Sequence, residues 1–460
     1  MLAQLAVDCA SASGSESDKQ EGLSSQLGHQ LSPTASIRTS PGESEFERWS
    51  AYGAPQPGVV VSVATEEDVA RTIRYCVSND IQFLAQNGGH RWAVTFNLDS
   101  NGLLIDIIHL NSVVFNANRT RVTLGGGVSI EEVVAAAIER DAQVATGNCN
   151  CVGALGAILG GGYGNLLGLV GLGVDNILSM NVVLADGQVH TVTPEDDNGS
   201  LFWALRGAGP NFGIVTSAVL KSYPVASAAN VTAWMGRLVL SGEQVEAVVA
   251  VVDSLILTPE MNIFLYFTTE SNGTQQLLAT PFFYGYESEA RRAFEPLLDI
   301  GPLDDATAEV PYARWNEGSD GFCSGGGYKP AYSAALNRLL AGTWKEVWDE
   351  YVSFTSRDET RSSFIMEAYS LHRAQSLRDD SSAFPWRNGV NFHAIAMPWY
   401  SDAGLERCDG VGYINFGHGD ENLTTIYGGN VERLRAIKTR VDHDVVFSTS
   451  GSALVSAICR

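Results

Sequence analysis

The chain has 460 residues, of which 45% are hydrophobic and 18% charged, and its formal net charge is −23 at pH 7. This composition is typical of a folded globular protein, and the length favours two or three domains. The negative charge argues against nucleic acid, anionic membrane surfaces and polyphosphates as partners, and no apolar run is long enough to span a membrane.

The first 45 residues differ from the rest of the chain. Ser11–Ser44 is rich in Ser, Glu, Gln and Gly, and predicts a mobile arm. Met1–Val7 is apolar but has no basic residue before it, so it is a poor signal peptide as it stands, and a missing upstream exon could supply a full one. Asn-x-Ser/Thr sequons nevertheless suit a secreted glycoprotein, with the cytoplasm as the alternative location. These sequons are at Asn118, Asn198, Asn230, Asn272 and Asn422.

Cysteine usage predicts no metal site. Cys149 and Cys151 are only two residues apart, and no Cys or His cluster has the spacing of zinc ligands. The cysteine count is odd, so at least one thiol has no intramolecular disulfide partner. The seven are Cys9, Cys76, Cys149, Cys151, Cys323, Cys408 and Cys459.

After the arm, the chain begins with a β-α-β pattern. Gly58–Ala64 predicts a buried strand, and Thr65 is a candidate N-cap for a helix that continues through Val69–Asn79. The strand Ile81–Ala85 then leads into Gln86-Asn87-Gly88-Gly89-His90. This sequence predicts a glycine elbow that ends on a nucleophilic imidazole.

The stretch from Cys149 to Gly164 is the most informative in the chain, because half of its positions are cysteine or glycine. Glycine at this density costs backbone entropy, and it suits close approach to a ligand or a positive φ better than core packing. Backbone N–H groups freed by glycine can donate to a pyrophosphate. Together with the His90 elbow, the stretch predicts a cradle for a large, covalently tethered cofactor.

The remaining pattern predicts an α+β protein. Met180–Leu184 and Gln188–Val192 flank an Asp-Gly turn and predict a hairpin. From about residue 225 glycine thins out, and longer strands alternate with helices, which predicts an antiparallel sheet backed by helices. The predicted helices there are Ser241–Ser254, Glu287–Leu298, Ala331–Val352 and Asn430–Val441, and the predicted strands are Asn262–Thr269, Gln275–Tyr284, Phe364–Leu371 and Gly389–Trp399.

Several motifs, in order, resemble those of the FAD-linked oxidases of the berberine-bridge-like, vanillyl-alcohol-oxidase class. The similarity is strong over roughly 50–225 and 411–447 and weak between them. The matching segments are the Asn-Gly-Gly-His elbow, the cysteine and glycine run from Cys149, Gly173-Val174-Asp175-Asn176, Leu201–Gly207, Asn211–Thr216, Tyr413-x-Asn415 and Tyr427-Gly428-Gly429-Asn430.

The resemblance implies the domain organisation. After the arm, 1–45, it implies an FAD-binding domain of the PCMH type over 46–225. A substrate domain over 226–410 would be inserted next and would cover the flavin ring. The last segment, 411–460, would return to the FAD domain.

The resemblance also implies how FAD is held. His90 occupies the position whose imidazole bonds the flavin 8α-methyl carbon, and Cys149 is in register with a cysteine that some members bond to flavin C6, with Cys151 a near neighbour. The alternatives are a turn histidine satisfied by backbone and two inert buried thiols. Cys9 and Cys76 match a disulfide common in the family. The implied cofactor-binding residues are Asn87, Gly88, Gly89, His90, Arg91, Cys149, Val152, Gly153, Gly156, Gly160, Gly161, Gly162, Tyr163, Gly164, Asp175, Gly213, Ile214, Val215, Tyr413 and Asn415.

Two features of the sequence depart from the family pattern and limit which residue roles and which branch of the family the resemblance implies. Arg91 and Trp92 follow the histidine where small residues are common, so the tyrosine that some members carry at position 92 has no counterpart. Asn148-Cys149-Asn150-Cys151 resembles a fungal branch of secondary metabolism more than the sugar oxidases.

The candidate catalytic residues are Glu367, Tyr369 and Tyr427. On a strand, Glu367 and Tyr369 would share a face, with His372 on the other, so a carboxylate beside a phenol could act as general base. An exposed strand edge is the alternative. His393 and Arg387 are weaker candidates.

The combined pattern predicts an oxidase that transfers hydride from a small secondary metabolite to FAD, with O₂ as the electron acceptor and H₂O₂ as product. The alternatives are an oligosaccharide oxidase of the same fold and a cyclase or isomerase in which FAD is mainly structural. The motifs of nicotinamide dehydrogenases, P-loop enzymes, α/β-hydrolases and zinc proteases are absent from the sequence.

Overall fold

The computed structural model describes residues 23, 25–39, 48–91, 93, 98–195, 199–356, 362–400 and 422–442. Within these ranges the chain forms three sheets with helices packed against them, which confirms the predicted α+β class. The strands are β1 (Ser36–Thr39), β2 (Val59–Ser62), β3 (Phe83–Gln86), β4 (Leu103–Asp106), β5 (Val113–Phe115), β6 (Arg121–Gly125), β7 (Ala142–Val144), β8 (Ile177–Val183), β9 (Val189–Val192), β10 (Ile214–Pro224), β11 (Thr232–Leu240), β12 (Met261–Thr269), β13 (Gln275–Phe283), β14 (Asp304–Pro311), β15 (Tyr332–Leu336), β16 (Ser363–Tyr369) and β17 (Phe392–Met397).

Helices connect and cover these strands, and none of those described is long and apolar enough to cross a membrane. They are α1 (Glu66–Ser78), α2 (Ile130–Glu139), α3 (Ala154–Ile158), α4 (Leu167–Val170), α5 (Gly199–Ala208), α6 (Val245–Ser254), α7 (Glu287–Ala293), α8 (Glu295–Leu298), α9 (Ala341–Thr355), α10 (His372–Gln375), α11 (Leu423–Tyr427) and α12 (Val431–Val441).

The first sheet has the order β1-β2-β4-β3, with β2, β4 and β3 parallel. Thr65 begins α1 with a capping box to Asp68, as the sequence predicts. Part of the expected arm differs from the prediction. Leu27 is fully buried, Ser32 donates to the Asp68 carboxylate, and β1 pairs with β2. The apolar Leu27 side chain therefore anchors residues 25–39 to the sheet.

The second sheet has the order β5-β6-β10-β8-β9, and β7 also pairs with β10. The predicted hairpin is confirmed, because β8 pairs with β9 across a turn in which Gly187 has φ +67°. Glycine suits this position because side chains rarely adopt positive φ.

The third sheet has seven antiparallel strands in the order β14-β11-β13-β12-β16-β17-β15. Helices α6 and α9 cover it, with Val248, Trp344 and Trp348 in the shared core. The predicted helix over Ala331–Val352 is wrong in its first part, since residues 332–336 form the edge strand β15 and α9 begins at Ala341. Pairing with β17 outweighs the helical propensity of those residues.

One hydrophobic core joins the second and third sheets. It contains Leu155, Tyr163 and Phe202 from the region before residue 225, together with Trp315 and Tyr369 from the third-sheet region. Strand β16, an inner strand of the third sheet, therefore faces the glycine-rich loops of the first half of the chain.

Candidate active site

The His90 elbow follows directly from β3. Gly89 has φ +65°, and a Cβ on Gly88 would lie 3.0 Å from both the Cys151 oxygen and the Gly153 nitrogen, so these positions require glycine. His90 Nδ1 lies 2.8 Å from the Gly88 carbonyl oxygen. A carbonyl only accepts, so Nδ1 carries the proton and Nε2 keeps its lone pair.

Nε2 of His90 lies 3.3 Å from Cys151 Sγ. Burial lowers the pKa of His90 to about 4, and the charges of Lys329 and Arg48 act in the same direction. The imidazole is therefore neutral at neutral pH and retains the lone pair that a nucleophile needs.

The cysteine loop, residues 149–153, is fixed by backbone hydrogen bonds to the start of α2. The Ile130 N–H donates to Val152 O at 3.0 Å, and the Glu131 N–H donates to Asn150 O at 3.1 Å. The helix start is itself fixed by a capping box between Ser129 and Glu132. The loop thus holds its side chains against the His90 elbow.

Three sulfur atoms meet at this loop. Cys151 and Cys323 form a disulfide, and Cys149 remains a thiol. Cys149 Sγ lies 3.6 Å from Cys151 Sγ and 3.8 Å from Cys323 Sγ. The alternative that Cys149 and Cys151 are two inert thiols is therefore wrong for Cys151. Two of these sulfurs are oxidised, so the cluster is not a set of three thiolate ligands for a metal.

Cations gather beside His90, although the chain as a whole is strongly acidic. Arg48 donates to Gln86 Oε1 at 3.1 Å and to the carbonyl oxygen of Arg91. Lys329 is buried, donates to Trp49 O at 2.7 Å, and lies 4.3 Å from the centre of the Trp49 ring. This donor set suits a ligand that carries phosphate groups or develops negative charge.

The glycines of the long run have two kinds of surroundings: some pack tightly against other backbone segments, and one faces open space. A Cβ on Gly162 would lie 2.8 Å from Gly173 Cα, and one on Gly164 would lie 1.8 Å from Thr146 O, so these glycines allow backbones of the protein to pack closely. Core packing thus accounts for part of the run, contrary to the expectation from sequence. By contrast, a Cβ on Gly156 would meet nothing within 4 Å, so its face of α3 is open.

The other residues assigned to the cofactor have mixed surroundings. A Cβ on Gly213 would lie 2.6 Å from Val183 O, and Ile214 and Val215 are buried in β10. Asp175 accepts from Arg387 at 2.8 and 2.6 Å, an ion pair with almost no solvent exposure. This pair joins the two halves of the chain, and a role of Asp175 towards FAD stays a prediction. Tyr413, Asn415 and Trp92 lie outside the described residues, as does Cys9, the expected partner of the buried Cys76.

Glu367 and Tyr369 lie on the same face of β16, as the period of a strand requires. Burial raises the pKa of Glu367 to about 7, against an opposing hydrogen bond from Tyr369. Glu367 Oε2 is buried and has no hydrogen-bond partner among the described residues. The carboxylate thus combines a pKa near neutrality with an unsatisfied oxygen, which are the properties of a general base.

Aromatic rings surround this pair. The Tyr369 ring centre lies 5.3 Å from that of Tyr163 and 5.1 Å from that of Phe264, and the rings of Tyr163 and His393 lie 4.7 Å apart. His393, on β17, lies opposite Glu367 in the register of β16 and β17. Burial lowers the pKa of His393 to about 4. His372 does not belong to the strand, because β16 ends at Tyr369 and His372 begins α10.

Asn148 links the cysteine loop to Tyr369, and sequence reasoning did not assign it a role. Its Nδ2 donates to the Tyr369 hydroxyl oxygen at 3.2 Å, and its Oδ1 accepts from the Asn165 N–H at 2.9 Å. Asn262 donates to Asn165 O at 3.1 Å and completes a polar chain. Because Asn148 supplies the donor, the Tyr369 proton is left for Glu367.

Tyr427 is placed differently from Glu367 and Tyr369. Its side chain is 2% exposed, and its hydroxyl accepts from Asn211 Nδ2 at 3.0 Å. Burial raises the pKa of Tyr427 to about 12, against the opposing charge of Arg91. The phenol is therefore held protonated within the core, and its catalytic role stays a prediction.

Two family models match separate parts of the chain. Residues 57–193 match the family model described as FAD binding domain, and residues 412–452 match the model described as Berberine and berberine like. The chain is 33% identical over 437 residues to the FAD-linked oxidoreductase OXR1 of Pyricularia oryzae, covering 88% of this chain and 85% of that protein.

Solved structures share the fold. 6-Hydroxy-D-nicotine oxidase from Arthrobacter nicotinovorans has a TM-score of 0.76 and 20% identity, covering 91% of this chain and 97% of that one. Glucooligosaccharide oxidase from Acremonium strictum, a protein with 6-S-cysteinyl, 8α-N1-histidyl FAD, has a TM-score of 0.76 and 18% identity, covering 91% and 97%. At this identity the likeness concerns the fold alone, and it confirms the expected architecture.

Proposed function

Because the chain belongs to the berberine-bridge-like FAD-linked oxidoreductases, we propose that it oxidises a small secondary metabolite and uses O₂ as the final electron acceptor. FAD is its cofactor. The observation that carries the proposal is the Glu367–Tyr369 pair. Glu367 is the candidate base, and Tyr369 is hydrogen-bonded to Asn148, which precedes the cysteine loop.

The residues around the His90 elbow fit FAD. Arg48, Arg91 and Lys329 supply positive charge beside His90, and the open face at Gly156 leaves room for a ligand. Bound FAD would supply the hydride acceptor and would return its electrons to O₂, releasing H₂O₂. The chain's own residues would position the substrate and move its proton.

We also propose that FAD is covalently bound through His90, with a second link from Cys149. The neutral imidazole and the free thiol are both nucleophiles, and they lie on the two segments that meet at the elbow. The His and Cys links to FAD in glucooligosaccharide oxidase are a precedent within the fold. Burial raises the pKa of Cys149 to about 11, so bond formation requires its proton to leave.

In the reaction we propose, Glu367 takes a proton from a substrate hydroxyl or amine, and bound FAD would supply the acceptor for the hydride of the adjacent carbon. The Tyr369 hydroxyl keeps its proton and donates a hydrogen bond to Glu367, and Asn148 fixes the direction of that bond. The aromatic surroundings formed by Tyr163, Phe264 and Tyr369 favour a flat phenolic or benzylic substrate over a carbohydrate chain.

An oxygen electrode combined with a peroxide assay tests this function. A panel of phenolic and benzylic alcohols should include a compound whose conversion consumes O₂ and forms H₂O₂ in equal molar amounts. Conversion without O₂ uptake would favour a cyclase or isomerase instead. Turnover of cello- or chito-oligosaccharides alone would favour an oligosaccharide oxidase.

We further propose that the protein enters the secretory pathway and is N-glycosylated. The sequon residues Asn118, Asn230, Asn272 and Asn422 are exposed, and the Cys151–Cys323 disulfide suits an oxidising compartment. The fifth sequon residue, Asn198, lies outside the described residues. A mass loss on treatment with an N-glycosidase, after expression in a fungal host, would support the proposal, and an unchanged mass would contradict it.

A further inference from the structure

Trp49 connects His90 to a buried lysine of the third-sheet region. Its ring is stacked on the His90 imidazole, with the ring centres 6.1 Å apart and the planes 26° apart. Its backbone N–H donates to Gly89 O at 3.3 Å, and its indole Nε1 donates to Phe322 O. Trp49 is therefore fixed to the elbow on one side and to the segment that leads to Lys329 on the other.

Lys329 is itself held by polar and aromatic contacts. Its side chain is 1% exposed, and its Nζ donates to the carbonyl oxygens of Trp49, at 2.7 Å, and of Ser324. The same Nζ lies 4.3 and 4.0 Å from the ring centres of Trp49 and Trp399. Ser50 Oγ accepts from the Lys329 N–H at 2.9 Å and donates to its carbonyl oxygen at 3.2 Å. Because indole rings attract a cation, the charge of Lys329 helps to hold Trp49 in place.

We propose that Lys329 is a positioning residue for the covalent attachment of FAD, and that it acts through Trp49 on the His90 imidazole. This inference rests on the proposed link between His90 and FAD. In that link an imidazole N–C bond would form, one C–H bond of the flavin 8α-methyl group and the imidazole N–H bond would break, and O₂ would take both hydrogens as H₂O₂. Attachment therefore needs an imidazole that is held in one orientation and keeps a lone pair.

The charge of Lys329 also favours the neutral form of the imidazole. Burial is the largest cause of the low pKa of His90, and the charges of Lys329 and Arg48 lower it further. Arg91 belongs to the same group of cations, since burial and then the charge of Arg91 lower the pKa of Arg48. The hydrogen bond to the Gly88 carbonyl acts in the opposite direction on His90. The balance leaves the imidazole neutral above a pH of about 4.

The test compares Lys329→Met with Lys329→Arg in the full chain. Each protein is produced in a riboflavin-starved host, mixed with FAD, and sampled over time for FAD that stays in the acid-precipitated pellet. We expect attachment in Lys329→Met to be roughly tenfold slower, because the variant loses a charge-assisted hydrogen bond and the attraction to two indole rings. Lys329→Arg keeps the charge and should recover most of the wild-type rate. The matched control is Lys345→Met, a lysine that pairs with Asp349 on α9 and should leave the rate unchanged.

The pH dependence of attachment distinguishes this role from a purely structural one. Attachment is lost as pH falls through the pKa of His90, so the wild-type rate should be constant between pH 5 and pH 7. In Lys329→Met a neighbouring positive charge is missing, the pKa of His90 rises, and the rate should fall towards pH 5. A wild-type rate in Lys329→Met, or a slowing that Lys329→Arg shares, would overturn the proposal.

Trp49→Leu is the second variant, in case Lys329→Met does not fold. It removes the ring that contacts His90, so attachment should slow, and a wild-type rate would contradict a role of Lys329 through Trp49. If the wild-type chain also attaches no FAD, the link to His90 itself is contradicted. The pKa of His90, measured by NMR of the histidine ring in the same proteins, would then decide whether Lys329 acts on the imidazole. A higher pKa in Lys329→Met than in wild type would support that action, and an unchanged pKa would overturn it.

Discussion

The cysteine loop and strand β16 carry the two sides of the candidate site, and different interactions hold them. Residues 149–153 are held by backbone hydrogen bonds to α2 and by a disulfide. Glu367 and Tyr369 are set by the register of β16 between β12 and β17, and their chemistry comes from burial. The proposed covalent link thus relies on a fixed backbone, whereas the proposed proton transfer relies on a desolvated side chain whose neighbours set its pKa.

The largest effect should come from removing the base. Glu367→Gln keeps the shape of the side chain but cannot accept the substrate proton. We expect kcat/KM to fall by roughly 10²–10⁴-fold, the usual contribution of general base catalysis. Steady-state O₂ uptake measures it, with the exposed Glu346→Gln as the matched control. Wild-type activity in Glu367→Gln would show that Glu367 on β16 is not the catalytic base.

The next effect concerns the buried ion pair that joins the two halves of the chain. Arg387→Ala would leave Asp175 as a buried carboxylate without its cation, and we expect about 3–5 kcal/mol of lost stability. The double variant Asp175→Leu, Arg387→Met should lose much less, because it buries no lone charge. Urea unfolding measures both variants, and equal losses would show that the pair acts only through packing.

A smaller effect tests the connection between the cysteine loop and β16. Asn148→Ala removes the donor to Tyr369, and we expect a loss of about 1 kcal/mol in transition-state stabilisation, or roughly fivefold in kcat. Asn150→Ala is the control, because Asn150 bonds the exposed Asp320 instead. Equal effects of the two substitutions would mean that Asn148 acts through the loop and not through Tyr369.

The smallest expected effect is on the pH dependence of kcat/KM. A base must be ionised, so kcat/KM should rise as pH increases through about 7, the raised pKa of Glu367. Asn148→Ala should shift the pH at which kcat/KM rises, while Asn150→Ala should leave that pH unchanged. A profile that is flat between pH 5 and 8 would contradict the assignment of Glu367.

Local signals made one side of the site predictable. The Asn-Gly-Gly-His elbow and the glycine run are contiguous in sequence, as are the Asp-Gly hairpin and the capped start of α1. The other features depend on contacts between distant residues. Cys323 lies 172 residues from Cys151, and residues 332–336 became a strand only by pairing with β17.

Contacts between distant residues are also the reason why the predictions for Gly162, Gly164 and the arm differ from the structure. Gly162 and Gly164 are needed because other backbone segments pack against them, which no local pattern reveals. Likewise, Leu27 lies in a polar stretch of sequence, and its burial depends on the core formed around α1. Glu367 and Tyr369 were identifiable from strand period, but the link through Asn148 was not.

The most direct test of the covalent link to FAD is acid precipitation of the purified protein, with FAD absorbance of the pellet and intact mass for wild type, His90→Ala and Cys149→Ala. We expect a yellow wild-type pellet with the mass of FAD added to the chain, and weaker retention of FAD in both variants. Retention lost only in His90→Ala would restrict the link to one residue. A colourless wild-type pellet with FAD released into the supernatant would contradict the covalent link, and a protein without FAD would contradict the assigned cofactor.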